Sequence, residues 1–216
     1  MSSIEKISLN LSMKLGDKLD KDEEEKAVLN YALFIIIHTF MGIITTLLVG
    51  LITGMVIEIS LITITSALFK RYTGGSHAST PERCLIIGVI LSLILSILCR
   101  LIVINTDINN IVFVGMIIIA LSYYMIYYNC PVSSKNKPLK NEKTRNKLKK
   151  KAFILLNIYA ILLIILYIIY YTLKLSIIKS IITSSILGLF LQMIVLSNIG
   201  TKFINLLDKG FAFLSK

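Results

Sequence analysis

Histidine and cysteine are scarce in this chain of 216 residues, which has two of the first and three of the second. Zinc ordinarily takes three or four ligands from such residues, so with His38 far from His77 no metal site is expected, and no cofactor is called for. Cys84, Cys99 and Cys130 are too few for a disulfide framework, and their odd number leaves at least one thiol unpaired if they pair within the chain. The apolar stretches lack the alternation of barrel strands. There is no nucleotide-binding glycine loop, no clear inverted repeat and no chain of acids within the spans of the kind that couples proton flow. Residues 1 to 27 are polar and charged, so no signal peptide is evident and the first spanning helix is expected to direct insertion itself.

Hydrophobic residues supply 56% of the sequence and mean hydropathy is +0.81. Long Leu, Ile and Val runs with scattered Ser, Thr and Gly predict an all-α, polytopic membrane protein forming one domain over residues 1–216. Ile4, Ile7, Leu11 and Leu15 recur at helical steps between lysines, so residues 1–26 read as an amphipathic interfacial segment. From Ala27 to Phe69 the chain is almost wholly apolar, roughly 60 Å of helix or two membrane thicknesses, so it must turn once. Gly50, Thr53 and Gly54 are the expected place, which gives helices near 28–51 and 54–69. Four more spans are predicted near 80–104, 111–128, 152–173 and 177–199, about six in all, with a second interfacial segment over 201–216.

The net charge of +11 does not point to nucleic acid, because the charges sit in loops and tails. With the amino terminus inside, twenty of the 23 basic residues face the cytoplasm, and only Arg100, Lys174 and Lys179 fall toward the outside. That excess predicts cytoplasmic termini, and it places the 70–84 loop and the basic 132–151 connector on the cytoplasmic face. The run from Lys135 to Lys151 suits either an acidic peptide or anionic lipid of the inner leaflet.

His77 and Cys84 are the only close histidine and cysteine, and they lie in the polar loop KRYTGGSHASTPERC. A cysteine attacks as thiolate, and its ordinary pKa of about 8.5 must be lowered by a neighbouring cation or a helix amino terminus. Ser79 or Thr80 can cap a helix whose first position suits Pro81, which leaves Cys84 in the first turn at the positive end of the dipole. A continuous helix would hold the two residues about 10 Å apart along its axis, so the chain must fold back, and Gly74 and Gly75 supply the freedom. The other reading makes His77 a polar loop residue and Cys84 a small apolar residue opening a span. Glu82 and Glu58 read as structural, and Lys70 as a topology anchor.

RYTGGSHASTPERC, CPVSSKNKPL after the fourth span, and the amphipathic start followed by EEEKAVLNYALF together resemble the accessory gene regulator B (AgrB) family of membrane peptidases. The likeness runs through essentially the whole chain in length and segment order. It implies that Cys84 is the nucleophile and His77 its base, in a cysteine endopeptidase acting on an AgrD-type precursor of a quorum-sensing peptide. Arg71, Gly74, Gly75 and Ser76 are the candidate substrate contacts, although an arginine at a cytoplasmic helix end such as Arg71 is more often only a topology anchor. The resemblance also implies a homodimer, and Cys130 departs from the family pattern. A small peptide exporter without protease chemistry and a noncatalytic partner of a sensor protein are the rival readings.

Overall fold

The computed structural model describes residues 2–76, 78–132 and 141–214. Eight helices run through them: α1 (Ser3–Lys18), α2 (Glu23–Thr53), α3 (Val56–Thr73), α4 (Pro81–Asn105), α5 (Ile108–Asn129), α6 (Glu142–Leu173), α7 (Ser176–Leu196) and α8 (Asn198–Leu214). Among the described residues there is no strand.

Local chemistry explains the boundaries. Asp22 and Glu25 form a reciprocal capping box, so α2 begins at Glu23, four residues before the apolar run. Gly54 adopts a left-handed conformation (φ 66°) and turns the chain into α3, as its composition predicts. Thr80 caps α4 and Pro81 takes its first position. Asn141 caps α6, whose first ten residues belong to the basic connector, since lysine and arginine are good helix formers. The part of that connector over 133–140 lies outside the described residues.

Five helices, α2, α4, α5, α6 and α7, are long and apolar enough to cross a membrane. The sixth expected span, α3, has eighteen residues and carries Glu58, Lys70 and Arg71. It nonetheless packs closely on α7, the buried centre of the bundle. Small residues make that approach possible. A Cβ added at Gly188 would lie 2.8 Å from the Ile62 carbonyl oxygen and 2.7 Å from Thr65 Cβ. Lipid tails are as apolar as leucine, so close packing of this kind, rather than apolar burial, holds such helices together. Gly188→Ala is therefore expected to destabilise the bundle by about 1–3 kcal/mol through overpacking, read as a lower Tm in detergent. Gly42→Ala, at a position with open space, should not.

At the opposite end of α3 from the loop, Glu58 pairs with Arg100 at 3.2 Å and accepts from Ser180 at 3.3 Å, while Arg100 also donates to the Gly54 carbonyl. Glu58 thus ties α3 to α4 and α7, in keeping with a structural role. In α1 the buried positions are Ile4, Ser8, Ser12 and Gly16, while Ile7, Leu11 and Leu15 are exposed. α1 packs on α2, Ile4 of the expected apolar stripe is covered, and the other three residues of that stripe point outward.

Candidate active site

The connection between α3 and α4, residues 74–80, is short, because Lys70 to Thr73 continue α3 and Pro81 begins α4. Its first residues are held by their backbone shape. Gly74 (φ 73°, ψ −149°) and Gly75 (φ 133°) both lie where side-chain-bearing residues are strained. Space is as restrictive as conformation. A Cβ on Gly74 would overlap the Val132 carbonyl oxygen, and one on Gly75 would meet Val195 Cγ1 at 3.0 Å. Glycine suits the path of the chain at both positions.

Gln192 of α7, fully buried, reaches this start of the loop. Its Nε2 donates to the Thr73 hydroxyl and to the Gly74 carbonyl, each at 2.9 Å. Ser66 donates to its Oε1 at 3.4 Å, so both ends of the amide are used. Val132 N–H donates to the Thr73 carbonyl at 2.9 Å, which joins the end of α5 to the same point. Ser76 donates from its backbone and its hydroxyl to the Val195 carbonyl, at 3.3 and 3.2 Å.

Cys84 lies in the first turn of α4, half-buried, with its N–H donating to the Thr80 carbonyl at 3.0 Å. It lines a cavity of about 70 Å³ shared with Ser66, Lys70, Ser76, Ile87, Leu191 and Gln192. Lys70, expected only to anchor the topology, therefore lines the same cavity as the thiol. Arg71 is exposed and leans over the neighbouring Tyr72 ring at 5.8 Å. Ser76 lines the cavity as well. His77 lies outside the described residues.

Neither of the other thiols shares this setting. Cys99 is buried in the bundle beside the Ser184 hydroxyl at 3.2 Å. Cys130 is buried and donates to the Tyr72 carbonyl at 3.8 Å. Burial pushes its thiol up to about 11, against a smaller opposite pull from Lys149. Glu82, next to the loop, accepts from the Ile4 N–H at 3.1 Å and so fastens the start of α1 to the start of α4. Its carboxylate is committed to packing, as its place on the thiol's own helix turn suggests.

A second, open cavity of about 460 Å³ lies beside Cys130 and Pro131, with Arg145 and Lys149 of α6 on its wall together with Glu142. Sequence reasoning missed Gln192, although a lone amide in an apolar span is a signal that could have found it. Asp208 of α8, which binds the far end of the loop through Ser79, was missed too, and nothing local marks it.

The family model for accessory gene regulator B matches residues 6–196. An AgrB-like protein of Clostridium perfringens (strain SM101, type A) is 32% identical over 206 residues, covering 95% of this chain and 96% of that one. A second from C. perfringens (strain 13, type A) is 29% identical with the same coverage. One from Listeria innocua is 28% identical over 138 residues, 64% of this chain and 65% of that one. No solved structure matches.

Proposed function

This chain belongs to the accessory gene regulator B family, proteins of quorum sensing, and from that premise we propose that it is a membrane-embedded cysteine endopeptidase. Its substrate is an AgrD-type precursor, cut toward the carboxyl terminus and released as a peptide thiolactone. The observation that carries this reading is the position of Cys84, in the first turn of α4 and open to a cavity that also holds Lys70.

In the proposed reaction the Cys84 sulfur attacks the scissile carbonyl carbon, the carbon–nitrogen bond breaks, and His77 carries the thiol proton to the departing amine. A cysteine thiol within the acyl fragment then attacks the thioester. A new carbon–sulfur bond closes the ring, the bond to Cys84 breaks, and the proton returns to Cys84. Thioester exchange is nearly isoenergetic, so the tethered thiol must outcompete water through its effective concentration. A narrow cavity walled by Ile87, Leu191 and Gln192 suits that requirement.

The same reading makes α3 the sixth span, sheltered by α7 and so less dependent on its own hydropathy. Six crossings put both termini on one side with most of the basic residues, hence in the cytoplasm of a bacterial cell. The outward apolar stripe of α1 then rests on the inner leaflet. The Arg145 and Lys149 cleft, next to the point where Val132 meets the loop, receives the acidic part of the precursor or anionic lipid. Pairing of two chains belongs to the same proposal and rests on the family resemblance.

The test is intact-protein mass spectrometry of proteoliposomes quenched soon after addition of the cognate precursor. The wild type should carry an adduct equal to the amino-terminal fragment less water, sensitive to hydroxylamine. Cys84→Ala should carry none, and His77→Ala should form it far more slowly. Intact precursor throughout, with folded protein, would overturn the peptidase reading in favour of an exporter or a sensor partner.

A further inference from the structure

The end of the 74–80 loop is held from a distant part of the chain. Ser79 donates from its backbone N–H and from its hydroxyl to the two carboxylate oxygens of Asp208, at 3.1 Å each. Arg83, the residue before Cys84, donates from Nη1 to the Ser79 hydroxyl at 3.1 Å and lies 3.7 Å from the same carboxylate. Two hydrogen bonds and a longer ion pair therefore converge on Asp208, whose side chain is only 15% exposed. Nearer the start of α8, the Thr201 hydroxyl meets the Ser76 hydroxyl at 2.6 Å. Thr201 and Asp208 are seven residues apart, two turns or about 10 Å along one helix face. They grip the loop at two points.

The helix that carries them is itself fixed. Ile204, Leu207 and Phe211 pack with Ile62, Ile87, Leu191 and Val195, so α8 rests on the apolar wall of the Cys84 cavity. At its root Gly200 passes so close to the Ile194 carbonyl that a Cβ would not fit, which sets the angle between α7 and α8. The start of the loop is held by Gln192 and Val195 of α7, and its end at Ser79 is held by α8.

Resting on the thiol-peptidase reading of the site, we propose that α8 is a clamp, with Asp208 and Thr201 as positioning residues that hold Ser79 and Ser76 relative to the first turn of α4. Asp208 fixes Ser79 to Arg83 and so sets the loop's end relative to Cys84, and Thr201 fixes Ser76 at the cavity wall. The clamp lies wholly beyond residue 196, where the match to the family model ends.

The experiment uses the full chain in proteoliposomes and two readouts. The first is the second-order rate of Cys84 alkylation by iodoacetamide, quantified at that residue by peptide mass spectrometry, which needs no substrate. The second is kcat and KM for cleavage of the cognate precursor. Asp208→Ala should change the alkylation rate several-fold and lower kcat by about tenfold or more, with KM within about twofold and Tm unchanged, as misplacement of reacting groups predicts. Asp208→Asn, which keeps an acceptor for Ser79, should recover part of the loss. Thr201→Val should show a smaller loss of the same kind. Adding Ser79→Ala to Asp208→Ala should cost little more, because both remove the same contact.

Wild-type alkylation in folded Asp208→Ala overturns the clamp, whatever the precursor does. Absence of wild-type cleavage would instead sink the peptidase reading and leave the alkylation rates to decide the clamp. If Asp208→Ala does not fold, Asp208→Asn and Ser79→Ala decide in its place, and wild-type rates in both overturn it.

Discussion

Cys84→Ala should abolish precursor cleavage, a loss of about a thousandfold or more, while the protein inserts and melts as the wild type does. The size follows from the chemistry: without the sulfur no acyl-enzyme forms, and what remains is substrate binding beside ordinary solvent attack. Neither remaining thiol can substitute. Cys99 is enclosed by the bundle, and Cys130, with its thiol pushed to about 11, is almost wholly protonated at neutral pH. Cys130→Ser should therefore leave cleavage within about twofold of wild type, although its neighbours line the basic cleft. The little space around Cys84 is not filled by close packing, so alanine there should cost about 1 kcal/mol or less of stability. Quantitative mass spectrometry of precursor and product, with Tm measured on the same samples, checks both halves. Retention of a tenth of the activity in Cys84→Ala would remove this residue from the reaction.

The elements that composition reveals are those whose signals are local. Pro81 behind a threonine cap and Gly54 at the middle of a double-length apolar run each act through neighbours within four residues. The structure places helix ends at both, whereas α2 starts at Glu23, ahead of the expected residue 28. The apolar runs likewise show where the five helices long and apolar enough to cross a membrane lie among the described residues. What was not legible depends on packing between distant segments. Gln192 stands 118 residues from the carbonyl it holds at Gly74, and Asp208 stands 129 from Ser79. Lys70 looked like any basic residue at a helix end until α3, α4 and α7 came together around Cys84. The carboxyl-terminal segment was legible as amphipathic, but amphipathicity alone does not say which side meets protein. Here Ile204, Leu207 and Phe211 face the bundle while Ile199, Leu206 and Phe213 are exposed.

Gly74→Ala is the second substitution from which a large effect is expected, and its effect should fall on catalysis more than on folding. Gly74 combines φ 73° with ψ −149°, a region that residues with a Cβ avoid. The added methyl would also overlap the Val132 carbonyl oxygen, whose own N–H binds Thr73, so neither backbone can move alone. The residue next to α3 must then leave this conformation, and the Gly74 carbonyl loses its bond from Gln192. Gln192 is fully buried, and an unmade hydrogen bond there costs about 1–3 kcal/mol. The bundle itself is held elsewhere, through α3 and α7 around Gly188 and through the Glu58 to Arg100 pair, so it should survive. The loop between Gly75 and Thr80 would be displaced by about an ångström or more relative to Cys84, a shift that costs about 100-fold in rate. The expected result is a protein that inserts normally, loses a few degrees in Tm, and cleaves precursor about 100-fold more slowly. Gly42→Ala, with open space around its Cβ, serves as the matched control and should retain full activity. Wild-type cleavage by Gly74→Ala would mean that the loop's path near Thr73 does not determine the geometry of the reacting thiol.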